Sequence, residues 1–156
     1  MKKINVMFLP AFLLFVLATG NAFSQSSDKE AIKETALNYI EGWYSADTAR
    51  MARALSPELA KKGIIMNPRS NELVIAPATF SQMLQWTGQK PNELEADPDK
   101  KMEVVIIEVG QNIAMVKTIT PDFIDYLHMG KMNGEWKIYN AIWERPPEEE
   151  KLGSGI

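Results

Sequence analysis

Cysteine is absent from the 156 residues, and histidine occurs once, as His128. Without thiols the chain can form no disulfide and no thiolate metal site, and it can carry no lipid on an N-terminal cysteine. One imidazole cannot supply the usual zinc sets. Basic residues are not in excess: 17 Lys+Arg face 20 Asp+Glu, a net charge of −3, and no basic cluster stands out. That balance argues against nucleic acid and anionic membranes as partners. There is no glycine-rich phosphate loop and no nucleophile elbow, and a Ser-His-Asp triad would have to rest on His128 without local support. Glu93, Glu95, Asp97 and Asp99 alternate in a polar stretch, but Pro98 interrupts them and the glycine of a calcium loop is missing. No metal and no cofactor are expected. No internal repeat is found, and the length suits one domain, in which roughly two-thirds of the unfolded surface can be buried.

Long apolar runs are also scarce, with one exception at the N-terminus. Lys2 and Lys3 precede an apolar stretch over residues 4–18 that only Asn5 and Pro10 interrupt. Thr19-Gly20-Asn21 breaks it, and Ala22 and Ser24 place small residues two apart before Gln25. This pattern reads as a cleaved export signal over residues 1–24, and the apolar stretch is shorter than the ~20 residues of a spanning helix. The expected organisation is a signal peptide (1–24), one domain (25–145) and a flexible tail (146–156) holding Pro146-Pro147 and Glu148-Glu149-Glu150. The mature domain is expected in the periplasm or outside the cell, with no membrane association after cleavage.

Ser27-Asp28-Lys29-Glu30 has capping-box spacing, and Ile32, Ala36, Tyr39, Ile40, Trp43 and Tyr44 then recur at helical spacing. An amphipathic helix starting after Ser27 follows. Asp47 can cap a second helix through Leu55. Ser56-Pro57-Glu58 reads as the start of a third helical turn, closed by Gly63. Residues 64–66 and 73–75 form a small hairpin, residues 79–87 a further helix, and residues 89–100 a polar loop. From Met102 the period becomes strand-like, with turns at Gly110-Gln111-Asn112, at Pro121-Asp122 and at Asn133-Gly134, the last a strong hairpin signal. Helices followed by a meander imply an α+β domain, a curved antiparallel sheet wrapped cone-like around N-terminal helices and open at one end.

The last hairpin fixes which side chains share a face. A two-residue turn at Asn133-Gly134 pairs Met132 with Glu135, and an unbroken register then sets Leu127 against Asn140 and Asp125 against Ile142. One face carries Phe123, Leu127, Met129, Trp136, Ile138 and Ile142, so it should meet the helices. Asp125 and Asn140 lie on that face as diagonal neighbours. A carboxylate on a core-facing position is costly unless it is paired, hydrated or put to chemical use, which makes Asp125 the first candidate for ligand contact or general-base catalysis. Asn140 would accompany it, with Tyr39, Trp43, Tyr44 and Trp136 as walls or hydroxyl donors. The opposite face gathers Tyr126, His128, Tyr139 and Trp143, residue types at home in a subunit interface, so a homodimer is expected there.

Tyr39-Ile40-Glu41-Gly42-Trp43-Tyr44 with Asp47, then residues 54–61, and above all Asp125 through Ile138 with Trp143-Glu144, resemble the nuclear-transport-factor-2-like superfamily. The branch is the one called "Putative lumazine-binding", near the SnoaL-like proteins, and the resemblance covers about residues 28–145. It implies a cystatin-like cone and a pocket for a small, partly apolar molecule. Superfamily members include isomerases, dehydratases, cyclases, transport factors and binding modules. The resemblance therefore implies three readings: a ligand-binding domain, an isomerase- or dehydratase-like enzyme with Asp125 as base and a tyrosine stabilising the oxyanion, or a dimeric protein-interaction module. Similar sequences often carry His where this one has Ser56, which lowers the expectation of an activity that needs it.

Overall fold

The computed structural model describes the backbone of residues 11–147 and the side chains of residues 27–147. In chain order the elements are α1 (Ala11–Tyr44), α2 (Thr48–Ala54), β1 (Leu55–Met66), β2 (Leu73–Ala78), α3 (Phe80–Gln89), α4 (Glu93–Ala96), β3 (Glu103–Val109), β4 (Ile113–Ile119), β5 (Ile124–Met132) and β6 (Glu135–Glu144). The expected signal segment falls on residues outside the described side chains, as does most of the expected tail. Helix α1 already runs through Ser27, so that residue lies inside the helix instead of capping its start. Among the described residues no helix is long and apolar enough to cross a membrane.

Ile32, Ala36, Tyr39 and Ile40 lie on one stripe of α1 and are buried against the sheet. The helix ends in a left-handed residue, Ala46 (φ 58°), with the Asp47 N–H reaching back to the Gly42 carbonyl at 2.9 Å. Asp47 then caps α2 as expected, its Oδ1 accepting the N–H groups of Ala49 and Arg50 at 2.9 Å. Gly42 permits this sharp reversal, because a Cβ there would stand 3.0 Å from the Met51 nitrogen. Thr79 and Gln82 form a capping box on α3, where Met83 and Thr87 face inward.

Six strands form one curved sheet in the order β2-β1-β6-β5-β4-β3. Every neighbouring pair is antiparallel except β1 and β6, which run parallel, so the sheet is not the wholly antiparallel one expected. Val116, Leu127, Met129, Ile138 and Ala141, with Leu55 and Leu59 of β1, form one core with Ile32, Ala36 and Ile40 of α1 and Met51 and Ala54 of α2. Burying each of the larger ones contributes about 1.5–3 kcal/mol.

Two local expectations are corrected. Residues 56–63 are strand, not a helical turn: Leu59, Lys61 and Gly63 are buried while Glu58, Ala60 and Lys62 are exposed, a period of two. Ser56 Oγ still accepts the Glu58 N–H at 3.1 Å. That local chemistry sits inside a register break between Leu55 and Ala60, where Pro57, lacking an N–H, is tolerated. Pairing with β6 outweighs the capping signal. The second correction concerns the last hairpin. Its register holds from Met132–Glu135 to Met129–Ile138, then shifts by one residue so that His128 pairs with Asn140 and Asp125 with Trp143. Tyr139 is the extra residue, and its ring covers Gly130, where a Cβ would lie 3.0 Å from it. Beyond this bulge every β6 side chain changes face.

At the hairpin end, Asp28 of α1 accepts Lys131 Nζ at 2.6 Å and Trp136 Nε1 at 3.1 Å. These bonds, Lys131 first, hold the Asp28 carboxyl below its ordinary 3.8. A carboxyl depressed in the folded state contributes stability above its unfolded pKa and loses it as pH falls through the folded one. Asp28→Asn should therefore be less stable than wild type at neutral pH, and urea melts should show the gap closing on acidification below 3.8. A gap that persists unchanged in acid would mean the clasp is not ionic.

Candidate functional site

A cavity of about 290 Å³ opens between α1, α3, the β1–β2 hairpin and the ends of β5 and β6. Its lining is mostly aromatic and apolar, with Lys61 and Asp125 as a buried polar pair. Asp125, 2 % exposed, and Lys61, 7 % exposed, form an ion pair between Nζ and Oδ1. Lys61 Nζ also donates to the Tyr39 hydroxyl, which donates in turn to Asp125 Oδ1 at 2.9 Å. The ammonium lies 5.2 Å from the Trp143 ring centroid, so that indole shares in its stabilisation, while Tyr39 meets it through the hydroxyl edge of its ring. Both bonds to Asp125 use Oδ1; among the described residues Oδ2 has no donor, and Asp125 lines the cavity.

The pair joins β1 to β5 across the intervening β6. Lys61 stands beside Ala141, whose small side chain leaves room for the lysine stem to pass. Burial strips water from the ammonium and moves the Lys61 pKa below its ordinary value, a shift that Asp125 opposes. Burial, reinforced by the charge of Asp125, raises Tyr39 well above 10.0. Tyr44 is likewise raised, mainly by burial, and its hydroxyl is engaged by Thr120 and Asp122, each at 2.9 Å. It presents a ring to the cavity.

Trp43, Phe123 and Trp143 make an edge-to-face chain along the wall, with centroids 6.1 Å and 5.1 Å apart and interplanar angles of 80° and 87°. Trp143 is laid against the β1 backbone at Gly63, where a Cβ would fall 2.5 Å from the indole. Trp86 from α3 and Arg145 stand at the exposed rim. Lys90 lies over the Trp43 ring at 4.7 Å and Lys100 over Tyr44 at 5.0 Å, with Glu93 bridging the two lysines. Two buried polar atoms lack a protein partner among the described residues, Trp43 Nε1 and the Thr118 hydroxyl beside Asp125. Among those residues no three His, Cys, Asp or Glu side chains converge as a metal site would need.

The structure thus brings together Asp125, Tyr39, Trp43 and Tyr44, and separates the others singled out by sequence. Asn140 does not accompany Asp125: the bulge turns it to the outer face, where its Nδ2 donates to the Ala60 carbonyl at 2.8 Å. Trp136 lies at the opposite end of the core, on Asp28. Trp143 leaves the outer patch for the cavity wall, and Ile142 takes its place beside Tyr126. Tyr126, His128 and Tyr139 remain together on the outer face. Sequence reasoning missed Lys61: Leu59-Ala60-Lys61-Lys62-Gly63 does not alternate in residue type, and the helical reading of Ser56-Pro57 hid the strand in which Lys61 turns inward. Phe123 was placed on the inner face by the hairpin register without being named as a wall, and Trp86 and Arg145 carried no signal.

A broken buried ion pair leaves one uncompensated charge, whereas removing both charges leaves none. Lys61→Met and Asp125→Leu should each lower unfolding free energy by about 3–5 kcal/mol in denaturant melts, with the double variant within about 1–2 kcal/mol of wild type. Additive losses would show that the two groups are not coupled.

Comparison with known proteins agrees with this architecture. An NTF2-like protein from Shewanella baltica shares 21 % identity, a TM-score of 0.60, and 79 % of this chain with 97 % of its own. One from Silicibacter pomeroyi gives 16 % and 0.61, over 78 % and 98 % of the two chains. A cystatin-like protein from Nostoc punctiforme gives 15 % and 0.53, over 78 % and 92 %. No functionally curated protein matches the chain. The family profile described as "Putative lumazine-binding" matches residues 27–144, from the turn of α1 that bears Asp28 to the last residue of β6, and the protein belongs to that family.

Proposed function

We propose that the chain binds a small, flat, partly apolar molecule in this cavity, its polar edge against Asp125 and Lys61 and its ring among Trp43, Phe123 and Trp143. One observation carries the reading: a buried, hydrogen-bonded charge pair in the lining of an otherwise largely apolar and aromatic cavity. Such an arrangement, an apolar body with few convergent polar groups, is typical of ligand sites. Lumazine, which the family description names, is a bicyclic dione whose edge alternates N–H and C=O groups. Asp125 Oδ2 could accept such an N–H while the third Lys61 proton meets a neighbouring carbonyl.

Titration of intrinsic tryptophan fluorescence with lumazine should saturate. Asp125→Asn should weaken the complex about ten-fold or more, because the amide replaces a charge-assisted acceptor. Absence of any saturable change, in a chain shown to be folded, would defeat the reading.

Two further parts of the proposal concern the setting. The outer sheet face exposes Val105, Ile113, Met115, Tyr126 and Ile142, an apolar surface suited to a second copy of the chain. Export, with removal of residues 1–24, would place that dimer outside the cytoplasm. Protein recovered from the exported fraction should have an intact mass beginning at Gln25 and sediment as a dimer, and Tyr126→Glu should sediment as a monomer. Retention of residues 1–24, or unchanged sedimentation of the variant, would overturn the corresponding part.

A further inference from the structure

Ion pairing with Asp125 does not by itself call for a lysine. A guanidinium would meet the carboxylate with two parallel bonds and stay charged; the chain instead places a primary amine in an aromatic cavity. Two of the three Nζ protons are committed, to Asp125 and Tyr39, and Lys61 lines the cavity proposed for the ligand. What surrounds its nitrogen is a cage for a cation: the Asp125 carboxylate, the Tyr39 hydroxyl and the Trp143 ring. A protonated imine is also a cation at that nitrogen. Resting on the binding reading above, we propose that Lys61 condenses reversibly with an aldehyde of aromatic size, giving a protonated imine held against Asp125.

The step balances without a further reactant. Asp125 takes one proton from the ammonium, and the freed amine pair forms an N–C bond to the carbonyl carbon as the C=O π pair moves to oxygen. One proton passes from nitrogen to that oxygen, giving a carbinolamine. Asp125 returns its proton to the hydroxyl, the C–O bond breaks, and water leaves. Charge is the same at both ends, an iminium and a carboxylate replacing an ammonium and a carboxylate; the iminium keeps one N–H, for Asp125, and gives up the bond to Tyr39. Burial that lowers the ammonium pKa raises the share of free amine relative to exposed lysines. The aromatic walls retain the body of the aldehyde and limit water at the imine carbon.

Lys62 is an internal control: next in sequence, exposed, and on the opposite face of β1. The full chain treated with benzaldehyde and cyanoborohydride, then mapped by peptide mass, should carry its first benzyl adduct on Lys61. Labelling there should be about ten-fold or more faster than at Lys62. Excess lumazine should slow labelling of Lys61 and leave Lys62 unaffected. Lys61→Arg, checked for a cooperative thermal transition, should lose the fast adduct. Equal labelling of Lys62 and the other exposed lysines, with Lys61 unmarked, overturns the proposal. If lumazine nevertheless saturates the tryptophan signal, the binding reading survives that result; if it does not, both fall together.

Discussion

The buried pair of Asp125 and Lys61 is the constraint on which the rest of this structure depends. It ties β1 to β5 over the top of β6, a distance of about two strand spacings, or nearly 10 Å across a flat sheet. The lysine stem can bridge it because Ala141 is small and the sheet is curved there. Tyr39 carries the same network onto α1, so one hydrogen-bonded cluster fixes the helix, the edge hairpin and the central strands relative to one another. Well-packed hydrophobic residues of similar volume would hold these elements at least as firmly. A charge pair retained where leucine and methionine would serve the fold points to use of the charges, and the cavity lies directly against them.

Glycine and aromatic positions explain how the cavity keeps its shape. Trp143 needs Gly63 beneath it, since any Cβ would collide with the indole. Tyr139 fills the space over Gly130 in the same manner, and it is the residue that breaks the hairpin register. The bulge therefore does two things at once. It increases strand twist, which closes the sheet around α1, and it turns Trp143 inward where an unbroken ladder would have turned it out.

That single inserted residue also marks the limit of what could be read from sequence. The α1 stripe, the Asp47 cap, the Asn133-Gly134 turn and the strand meander are local patterns, visible because each element carries its own period or turn chemistry. They lead to the fold, and the placement of Asp125, Tyr39, Trp43 and Tyr44 around one cavity follows from them. Asn140 and Trp143 were misplaced because a bulge depends on a contact across strands, here the Tyr139 ring over Gly130, which no local pattern records. Lys61 was hidden for a different reason. Ser56-Pro57-Glu58 satisfies the chemistry of a helix start, and in the fold it satisfies the same Ser-to-N–H bond inside a strand irregularity. Long-range pairing with β6 decided between two states that the local residues permit almost equally.

The two faces of the sheet meet at one side chain. Trp143 borders the inner cavity, and with Ile64, Tyr126 and Ile142 it also borders a shallow groove of about 190 Å³ on the outer face. It occupies both settings because β6 ends there and Gly63 offers no side chain to separate them. The bulge that brought Trp143 to the cavity wall is thus also what joins the two surfaces.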